Sequence, residues 1–234
     1  MKLKVSVIIP THRGRDLTKT IDSIKKSTYN NIEIIIVDEN KERSEQRNIG
    51  IDRAKGDYLL LLDSDQSISP KLIEECVELM NKADAVYIPE VIVADGIFAI
   101  IRRWEREFYN GTVVDVVRFV RAKGCPKFDL TMSGPEDSDW DRRVPGKRVI
   151  SINHLFHDDS ITPYDYFNKK VYYTKSMKKF AAKNPNDKCL NFWYRCFWVF
   201  LEKGKWLKVV RRPHLFICVM GIILIRGIIY NVNR

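Results

Sequence analysis

Acidic side chains follow strand-like segments in the first third of the chain. Asp63 and Asp65 come directly after the apolar run 58–62, and Asp38 follows the apolar run 32–37. Two carboxylates two residues apart at the end of a buried strand can hold Mg²⁺ or Mn²⁺, with substrate phosphates supplying other ligands. An acidic pair on a loop is more often a turn or a helix cap, so its surroundings must decide.

A second acidic cluster lies at residues 134–143, GPEDSDWDRR. A proline followed by carboxylates is typical of a helix start, because early acidic residues complement the helix dipole. The arginine pair that ends the cluster is suited to an anionic ligand, and equally to pairing with the local acids.

The first 90 residues alternate strand-like and helix-like segments. We predict strands at 5–9, 32–37, 58–62 and 84–88, and helices at 15–27, 43–55 and 69–81, the last with Ser69 as its N-cap. This alternation predicts an α/β fold, a mainly parallel sheet flanked by helices. Ligands of such sheets bind at the carboxyl ends of the strands, where the acidic residues stand. The chain has no GxGxxG or Walker A motif, which disfavours a hydride-transferring dinucleotide fold.

Three stretches in this region carry a family resemblance: VSVIIPTHRGRDLTKTIDSI, then IEIIIVDEN, then RNIGIDRAKGDYLLLLDSDQSISP. Together, over residues 4–90, they resemble the N-terminal half of family 2 glycosyltransferases of the GT-A fold. The resemblance implies a GT-A-like (Rossmann-like) domain. It also implies inverting transfer of a sugar from a nucleoside-diphosphate sugar, with Mn²⁺ or Mg²⁺ as cofactor.

The resemblance implies roles for single residues. The donor-binding positions would be Thr11, Arg13, Asp38, Glu39, Arg47, Asp63 and Asp65. Asp63 and Asp65 would also hold the metal. Enzymes of this fold often bring a histidine to the same metal, and we choose His157 over His154 because it lies nearer the polar turn 158–160. The segment VDENKERSEQRN departs from the longer loop usual in the family, which leaves the nucleobase open.

The second acidic cluster resembles the family's Glu-Asp-x-Asp acceptor motif, in which an aspartate is the general base. On that match Asp137 is the predicted base and Asp139 the second candidate. The match also implies acceptor or diphosphate contacts at Glu136, Trp140, Arg142 and Arg143.

The predicted base bears on the acceptor. A hydroxyl acceptor needs a base, whereas a lipid monophosphate is already largely ionised at neutral pH. We therefore expect transfer to a hydroxyl of a lipid-linked or membrane-proximal glycan. A polyprenyl (dolichyl) phosphate sugar synthase is the alternative, and a nucleotide-sugar-binding protein without turnover is a third reading.

The net charge of +10 is unevenly distributed over the 234 residues. Residues 1–168 carry 25 Lys and Arg against 28 Asp and Glu, net −3, whereas residues 169–234 carry 15 against 2, net +13. The basic segment is interleaved with apolar residues: seven aromatics lie within 192–206, and 215–225 is uninterrupted. This composition is typical of a membrane interface and disfavours a nucleic-acid partner.

These patterns predict a GT-A catalytic domain at 1–160 and a basic, aromatic-rich helical extension at 161–234 that contacts an anionic membrane surface. A helix is predicted at 162–183, starting at Thr162. The run 214–230 is short for a membrane span and contains Arg226, which favours an in-plane or re-entrant helix with Arg226 snorkelling. A buried helical hairpin that closes the domain is the alternative.

Five cysteines without CxxC spacing disfavour a disulfide framework and a zinc ribbon. The N-terminal segment is too short and too β-rich for a signal peptide. We therefore expect the protein at the cytoplasmic face of the cell membrane, peripheral or monotopic.

Overall fold

The computed structural model describes residues 3–232, apart from the side chains of Lys175 and Asn231, so the outermost residues of both predicted domains lie outside it. Within this range the chain forms nine strands. They are β1 (Val5–Pro10), β2 (Ile32–Val37), β3 (Tyr58–Leu61), β4 (Gln66–Ile68), β5 (Ala85–Tyr87), β6 (Glu90–Ile92), β7 (Phe119–Arg121), β8 (Arg148–Ile150) and β9 (Leu155–His157).

Helices cover the sheets and make up the C-terminal part. They are α1 (Thr18–Lys25), α2 (Arg43–Arg53), α3 (Leu72–Leu79), α4 (Ile97–Tyr109), α5 (Glu136–Arg143), α6 (Pro163–Lys183), α7 (Val199–Leu201), α8 (Trp206–Arg211) and α9 (Pro213–Val232). Short 3₁₀ and π turns lie between α6 and α8. The change from strands to helices falls near residue 160, and the division into two domains stays a prediction.

The main sheet has the strand order β2-β1-β3-β7-β5-β8. Strands β1, β2 and β3 are parallel, β7 is antiparallel to both of its neighbours, and β8 is parallel to β5. The carboxyl ends of five strands and the start of β7 therefore meet at one edge. The predicted α/β fold with a mainly parallel sheet flanked by helices is confirmed.

A smaller sheet, β4-β9-β6, stands next to that edge. Strand β4 follows the Asp63–Asp65 turn directly, and its first residue, Gln66, is paired in register with His157. In the parallel pair of β6 with β9, Ile92 is in register with His157. This sheet brings two distant segments of the chain beside the acidic turn.

Helix α3 begins later than predicted. Its first residue is Leu72 and its N-cap is Lys71. The predicted N-cap, Ser69, instead donates its hydroxyl to the carbonyl of His154 at 2.9 Å. The prediction was wrong because this hydroxyl joins the turn before α3 to the segment that leads into β9.

The C-terminal helices share a core with α4. One face of α4, with Trp104 and Phe108, packs against Val199, Phe200 and Val219. The predicted helix at 162–183 is confirmed as α6, whose N-cap Thr162 accepts a hydrogen bond from the backbone of Asp165. The helical extension is therefore packed onto the α/β part.

Arg226 does not snorkel as predicted. It is 6% exposed and forms an ion pair with Glu105 of α4, which is fully buried. The prediction was wrong because α4 supplies a carboxylate inside the fold, so the guanidinium has no need to reach solvent or headgroups.

The opposite face of α9 is apolar and exposed. The stretch Pro213–Tyr230 has a mean hydropathy of 1.9 and is long and apolar enough to cross a membrane, and 28% of it is buried. Ile217, Leu224 and Ile228 are each more than half exposed. Trp193 and Trp198, both 62% exposed, add an aromatic surface.

Candidate active site

Arg47 lies where the predicted donor-side and acceptor-side segments meet. Helix α2 approaches β1 closely because position 50 is glycine: a Cβ there would come within 2.2 Å of the Ile8 side chain. Arg47, one turn earlier, is 2% exposed and donates to Asp63 Oδ1 at 2.7 Å and to the carboxylate of Asp137. One buried guanidinium thus joins the acidic turn to α5.

Asp63 is held as a carboxylate. Burial alone would raise its pKa, but Arg47, Arg43 and Arg118 outweigh that effect and hold the pKa well below its usual range. Arg118 immediately precedes β7, and its guanidinium lies 3.6 Å from Asp63 Oδ2. The antiparallel insertion of β7 is what brings this arginine to the edge.

Asp65 faces His157 across the small sheet. The Asp65 Oδ1 to His157 Nε2 distance is 3.5 Å, and His157 Nδ1 donates to Glu90 Oε1 at 2.8 Å. Burial would lower the pKa of His157, but its contacts with the two carboxylates raise it to about 10. Burial likewise opposes ionisation of Asp65, yet His157 lowers the pKa of that carboxyl.

The residues around Asp65 fit a divalent cation that is held partly by substrate. Asp65 Oδ1 is buried and accepts no hydrogen bond from the described part of the chain. Residues 3–232 contain no ready-made group of three His, Cys, Asp or Glu side chains for a metal. Because Mg²⁺ commonly takes only one or two protein carboxylates and completes its shell with phosphates and water, Asp65 suits such an ion. His157 would have to lose its proton before its Nε2 could bind the ion as well. Asp63 is committed to two arginines.

The other predicted donor-side residues lie along the same edge, after β1 and β2. Thr11 is 7% exposed, its backbone N–H lies 3.0 Å from the Gln46 side-chain oxygen, and its hydroxyl has no partner in residues 3–232. Arg13 and Asp38 are exposed. Glu39 pairs with Arg53. Their roles in donor binding stay predictions.

Helix α5 presents only part of the second acidic cluster to the edge. Asp137 has 29% of its side chain exposed and lines a cavity. Glu136 is buried and accepts from Arg43 Nη2 at 2.7 Å. The structure therefore brings Asp137 and Glu136 to the two arginines of α2.

The remaining predicted residues of α5 make internal contacts. Asp139 is 3% exposed and pairs with Arg143 at 2.8 Å, and Trp140 is stacked on Phe128. Arg142 pairs with Asp141 and Asp187. These four do not line the cavity beside Asp137, and their catalytic or acceptor roles stay predictions.

The cavity beside Asp137 has a volume of about 800 Å³. It is lined by Asp137 and Arg118 of the α/β part, by Lys170 of α6, and by Ile223 and Tyr230 of α9. Gly134 precedes α5 at φ +103°, and a Cβ there would meet the Tyr173 ring at 2.6 Å. A glycine at this position lets α6 close the cavity over α5.

Several site residues were missed from the sequence. Arg118 and Glu90 carry no local signal, since their place depends on how β7 and β6 are inserted. Glu90 joins Arg118, at 3.2 Å, to His157. Arg43 had a usable signal: it is four residues before Arg47, which places both on one helix face.

The chain matches the family model described as glycosyl transferase family 2, over residues 6–46 and 38–120. These stretches include β1, β2 and β3 and the acidic turn after β3. They also include α2 with its two arginines and the start of β7 with Arg118.

Curated relatives match over about a third to a half of the chain. A glycosyltransferase, GlyG, of Streptococcus pneumoniae is 31% identical over 109 residues, which cover 35% of this chain and 36% of that protein. A glucosyl-dolichyl phosphate glucuronosyltransferase of Haloferax volcanii is 26% identical over 137 residues, 46% of this chain and 44% of that protein. The matched part thus spans less than half the length of each relative.

Solved structures share the fold. Staphylococcus aureus TarS, residues 1–349 in complex with UDP-GlcNAc, superposes with a TM-score of 0.55 at 13% identity, over 96% of this chain and 81% of that chain. Its UDP complex superposes with a TM-score of 0.53 over 74% of this chain. These structures show the fold. The matching family model and the curated glycosyltransferase relatives, together with the acidic turn at the carboxyl edge of the sheet, show that the chain belongs to the family 2 glycosyltransferases.

Proposed function

We propose that this protein transfers a sugar, with inversion, from a nucleoside-diphosphate sugar to a hydroxyl of a lipid-linked or membrane-proximal glycan. The observation that carries this proposal is the position of Asp137. Its carboxylate stands between the donor-side turn, which it reaches through Arg47, and the 800 Å³ cavity that ends at α9. A base in that position faces both substrates.

The proposed reaction is a single displacement. The acceptor hydroxyl attacks the anomeric carbon, its proton passes to the Asp137 carboxylate, and the bond from that carbon to the diphosphate oxygen breaks. The electron pair of this bond leaves with the nucleoside diphosphate. Attack from the face opposite the leaving group inverts the anomeric centre.

Charge on the leaving diphosphate would be stabilised beside the acidic turn. Asp65 and His157 would hold Mn²⁺ or Mg²⁺ there, which would neutralise charge on the diphosphate. Arg47 and Arg118 hold Asp63 ionised at the carboxyl end of β3, the position from which it would contact the donor ribose.

Two similar proteins support the proposed donor and acceptor classes. TarS was crystallised with UDP and with UDP-GlcNAc, which favours a nucleoside-diphosphate sugar as donor here. The Haloferax volcanii relative is named for a dolichyl-phosphate-linked sugar, which favours a polyprenyl-linked acceptor. That name also keeps the second candidate, a polyprenyl phosphate sugar synthase, open to test.

Metal-dependent donor binding is the direct test of this function. We expect one nucleoside diphosphate of a panel to raise the Tm of the full chain only when Mn²⁺ or Mg²⁺ is present, because a ligand that binds the folded state alone stabilises it. At 100 times Kd the gain is about 2.7 kcal/mol.

The variant Asp65→Asn should lose this shift while its metal-free Tm stays near that of the parent. The anomer of the sugar product, read by NMR, reports inversion. A metal-independent shift would overturn the metal assignment, and no shift with any nucleotide would overturn the donor.

We also propose that α9 and the aromatic segment before it lie on the cytoplasmic membrane surface. Exposed Trp193, Trp198 and Ile217 would enter the interface, and the exposed cations of the C-terminal helices, such as Lys203, Arg211 and Arg212, would face anionic headgroups. Removing the C-terminal helices is a poor test, since α4 packs on them.

Surface substitutions test the membrane contact instead. Trp193→Ser with Trp198→Ser should lower binding to anionic vesicles about tenfold, because two interfacial aromatics are lost. Ile152→Ser replaces an apolar side chain that is even more exposed but lies outside the C-terminal helices, and it should leave binding unchanged. Vesicle co-sedimentation measures both, and equal binding by parent and double variant would contradict the proposal.

A further inference from the structure

The cavity beside Asp137 has an excess of positive charge. Seven of its lining residues are Lys or Arg, and three are Asp or Glu. All three carboxylates are already engaged: Asp115 with Arg106 at 2.6 Å, Glu90 with Arg118 at 3.2 Å, and Asp137 with Arg47. Cations in the middle of the cavity are therefore left without counter-charge.

Lys170 and Arg195 are the cations concerned. Neither has a carboxylate within ion-pair distance in residues 3–232. The Lys170 ammonium lies instead over two aromatic rings, 5.0 Å from the centroid of Tyr166 and 5.3 Å from that of Tyr173. Burial, together with the charges of Arg102, Arg226 and Arg195, lowers the pKa of Lys170 to about 7, against a small opposing effect of Glu105.

Tyr166 adds an unpartnered donor to the same wall. Its side chain is 3% exposed, it lines the cavity, and its hydroxyl has no hydrogen-bond partner in the described chain. A buried hydroxyl without a partner is unfavourable unless a ligand supplies one. An unpaired lysine, an unpaired arginine and this hydroxyl together match the oxygens of a phosphate group.

The α9 wall of the cavity is mainly apolar. Ile223, Gly227 and Tyr230 of α9 line it together with Arg226, whose charge is paired with Glu105, and the opposite face of α9 is the exposed apolar surface. A ligand that extends from the phosphate-binding wall toward α9 meets hydrocarbon side chains of the helix that we propose lies at the membrane. The chemistry that fits both ends is a phosphate ester of a long isoprenoid.

We propose that the cavity binds a polyprenyl-phosphate-linked acceptor, with the phosphate at Lys170, Arg195 and Tyr166 and the prenyl chain along α9. This inference rests on the proposed function and names its acceptor class. The sugar attached to that phosphate then extends toward Asp137, which leaves the phosphate as an anchor and a hydroxyl as the nucleophile.

Direct binding tests the anchor without the donor reaction. Farnesyl diphosphate, farnesol and inorganic pyrophosphate are titrated calorimetrically into the full chain in detergent, with the donor site filled by the nucleoside diphosphate that it binds. We expect farnesyl diphosphate to bind most tightly, pyrophosphate more weakly and farnesol at least tenfold more weakly than farnesyl diphosphate. Lys170→Met with Arg195→Met should weaken farnesyl diphosphate at least tenfold, and Lys179→Met, on the exposed side of α6, should not.

The stability of Lys170→Met separates ligand binding from a structural role. The folded pKa of about 7 lies below the ordinary 10.5, so the unfolded chain binds more protons between these values and stability rises with pH across that window. The free-energy cost of burying the Lys170 charge in the folded state is fully present below about pH 7. Lys170→Met should therefore have a higher Tm than the parent at pH 6, with the difference fading toward pH 10, although it binds the diphosphate less well.

The outcomes distinguish a failure of the phosphate anchor from a failure of the proposed donor reaction. Farnesol binding as tightly as farnesyl diphosphate, or unchanged binding by the double variant, would overturn the phosphate anchor. Pyrophosphate binding as tightly as farnesyl diphosphate would overturn the prenyl site along α9. Farnesyl diphosphate binding that depends on Lys170, in a chain that binds no nucleotide, would support the anchor and overturn the donor. If the double variant does not fold, Lys170→Met alone gives the same comparison.

Discussion

Replacing Asp137 by Asn is expected to lower kcat by at least 100-fold. The amide keeps the size of the side chain and its contact with Arg47, but it cannot accept the proton of an acceptor hydroxyl. A positioned general base contributes about 10²- to 10⁴-fold to a reaction of this kind. The measurement is the initial rate with a hydroxyl acceptor at saturating donor, together with the Tm shift given by the nucleotide.

The nucleotide shift should remain, since Asp137 reaches the donor side only through Arg47. Asp52→Asn is the matched control: this acid also belongs to a helix and to an ion pair, with Lys127, but its side chain is 71% exposed and lies outside the cavity. It should keep parental kcat. Asp137→Asn with most of its activity left would remove the base assignment and favour the polyprenyl phosphate sugar synthase, whose ionised phosphate needs no base.

The donor edge was predictable from the sequence because it depends on local patterns. Consecutive parallel strands place their carboxyl ends together, so the residues after β1, β2 and β3 were bound to meet. The position of Asp63 follows from the apolar run before it. Helical spacing from Arg47 would also have found Arg43.

The acceptor side was less predictable because it depends on contacts between distant segments. Asp137 and Asp139 are two residues apart, about 200° around a helix, so only one of them can face the cavity. Which one does so is decided by the packing of Trp140 on Phe128 and by the pairing of Asp139 with Arg143.

The C-terminal part was also predictable only where it depends on local sequence. Its composition predicted helices and an apolar surface, and both are present. Whether Arg226 would face headgroups or protein depended on Glu105, which is 121 residues away in the chain. Composition indicates that a charge within an apolar run is unfavourable unless it is paired. It does not reveal that the partner is a carboxylate on another helix.

That buried pair makes the largest stability prediction. Glu105 is fully buried, pairs with Arg226 and lies 2.6 Å from Arg102, and it accepts from the Tyr109 hydroxyl at 2.7 Å. Glu105→Leu leaves two guanidinium groups without their counter-charge. Breaking a buried ion pair on one side costs about 3–5 kcal/mol, so Tm should fall by about 10 °C.

The companion variant tests whether the lost stability comes from an uncompensated charge. Glu105→Leu combined with Arg226→Met replaces the pair by apolar groups, and such exchanges are often close to neutral. We expect the double variant to recover more than half of the loss, with a non-additive coupling well above the ~0.5 kcal/mol seen for independent sites. Urea unfolding in detergent measures the parent, Glu105→Leu, Arg226→Met and the double variant. Additive losses would mean that Glu105 and Arg226 do not stabilise α9 against α4 as a pair. The contact of α9 with α4 would then depend on the apolar packing around Trp104 and Phe108.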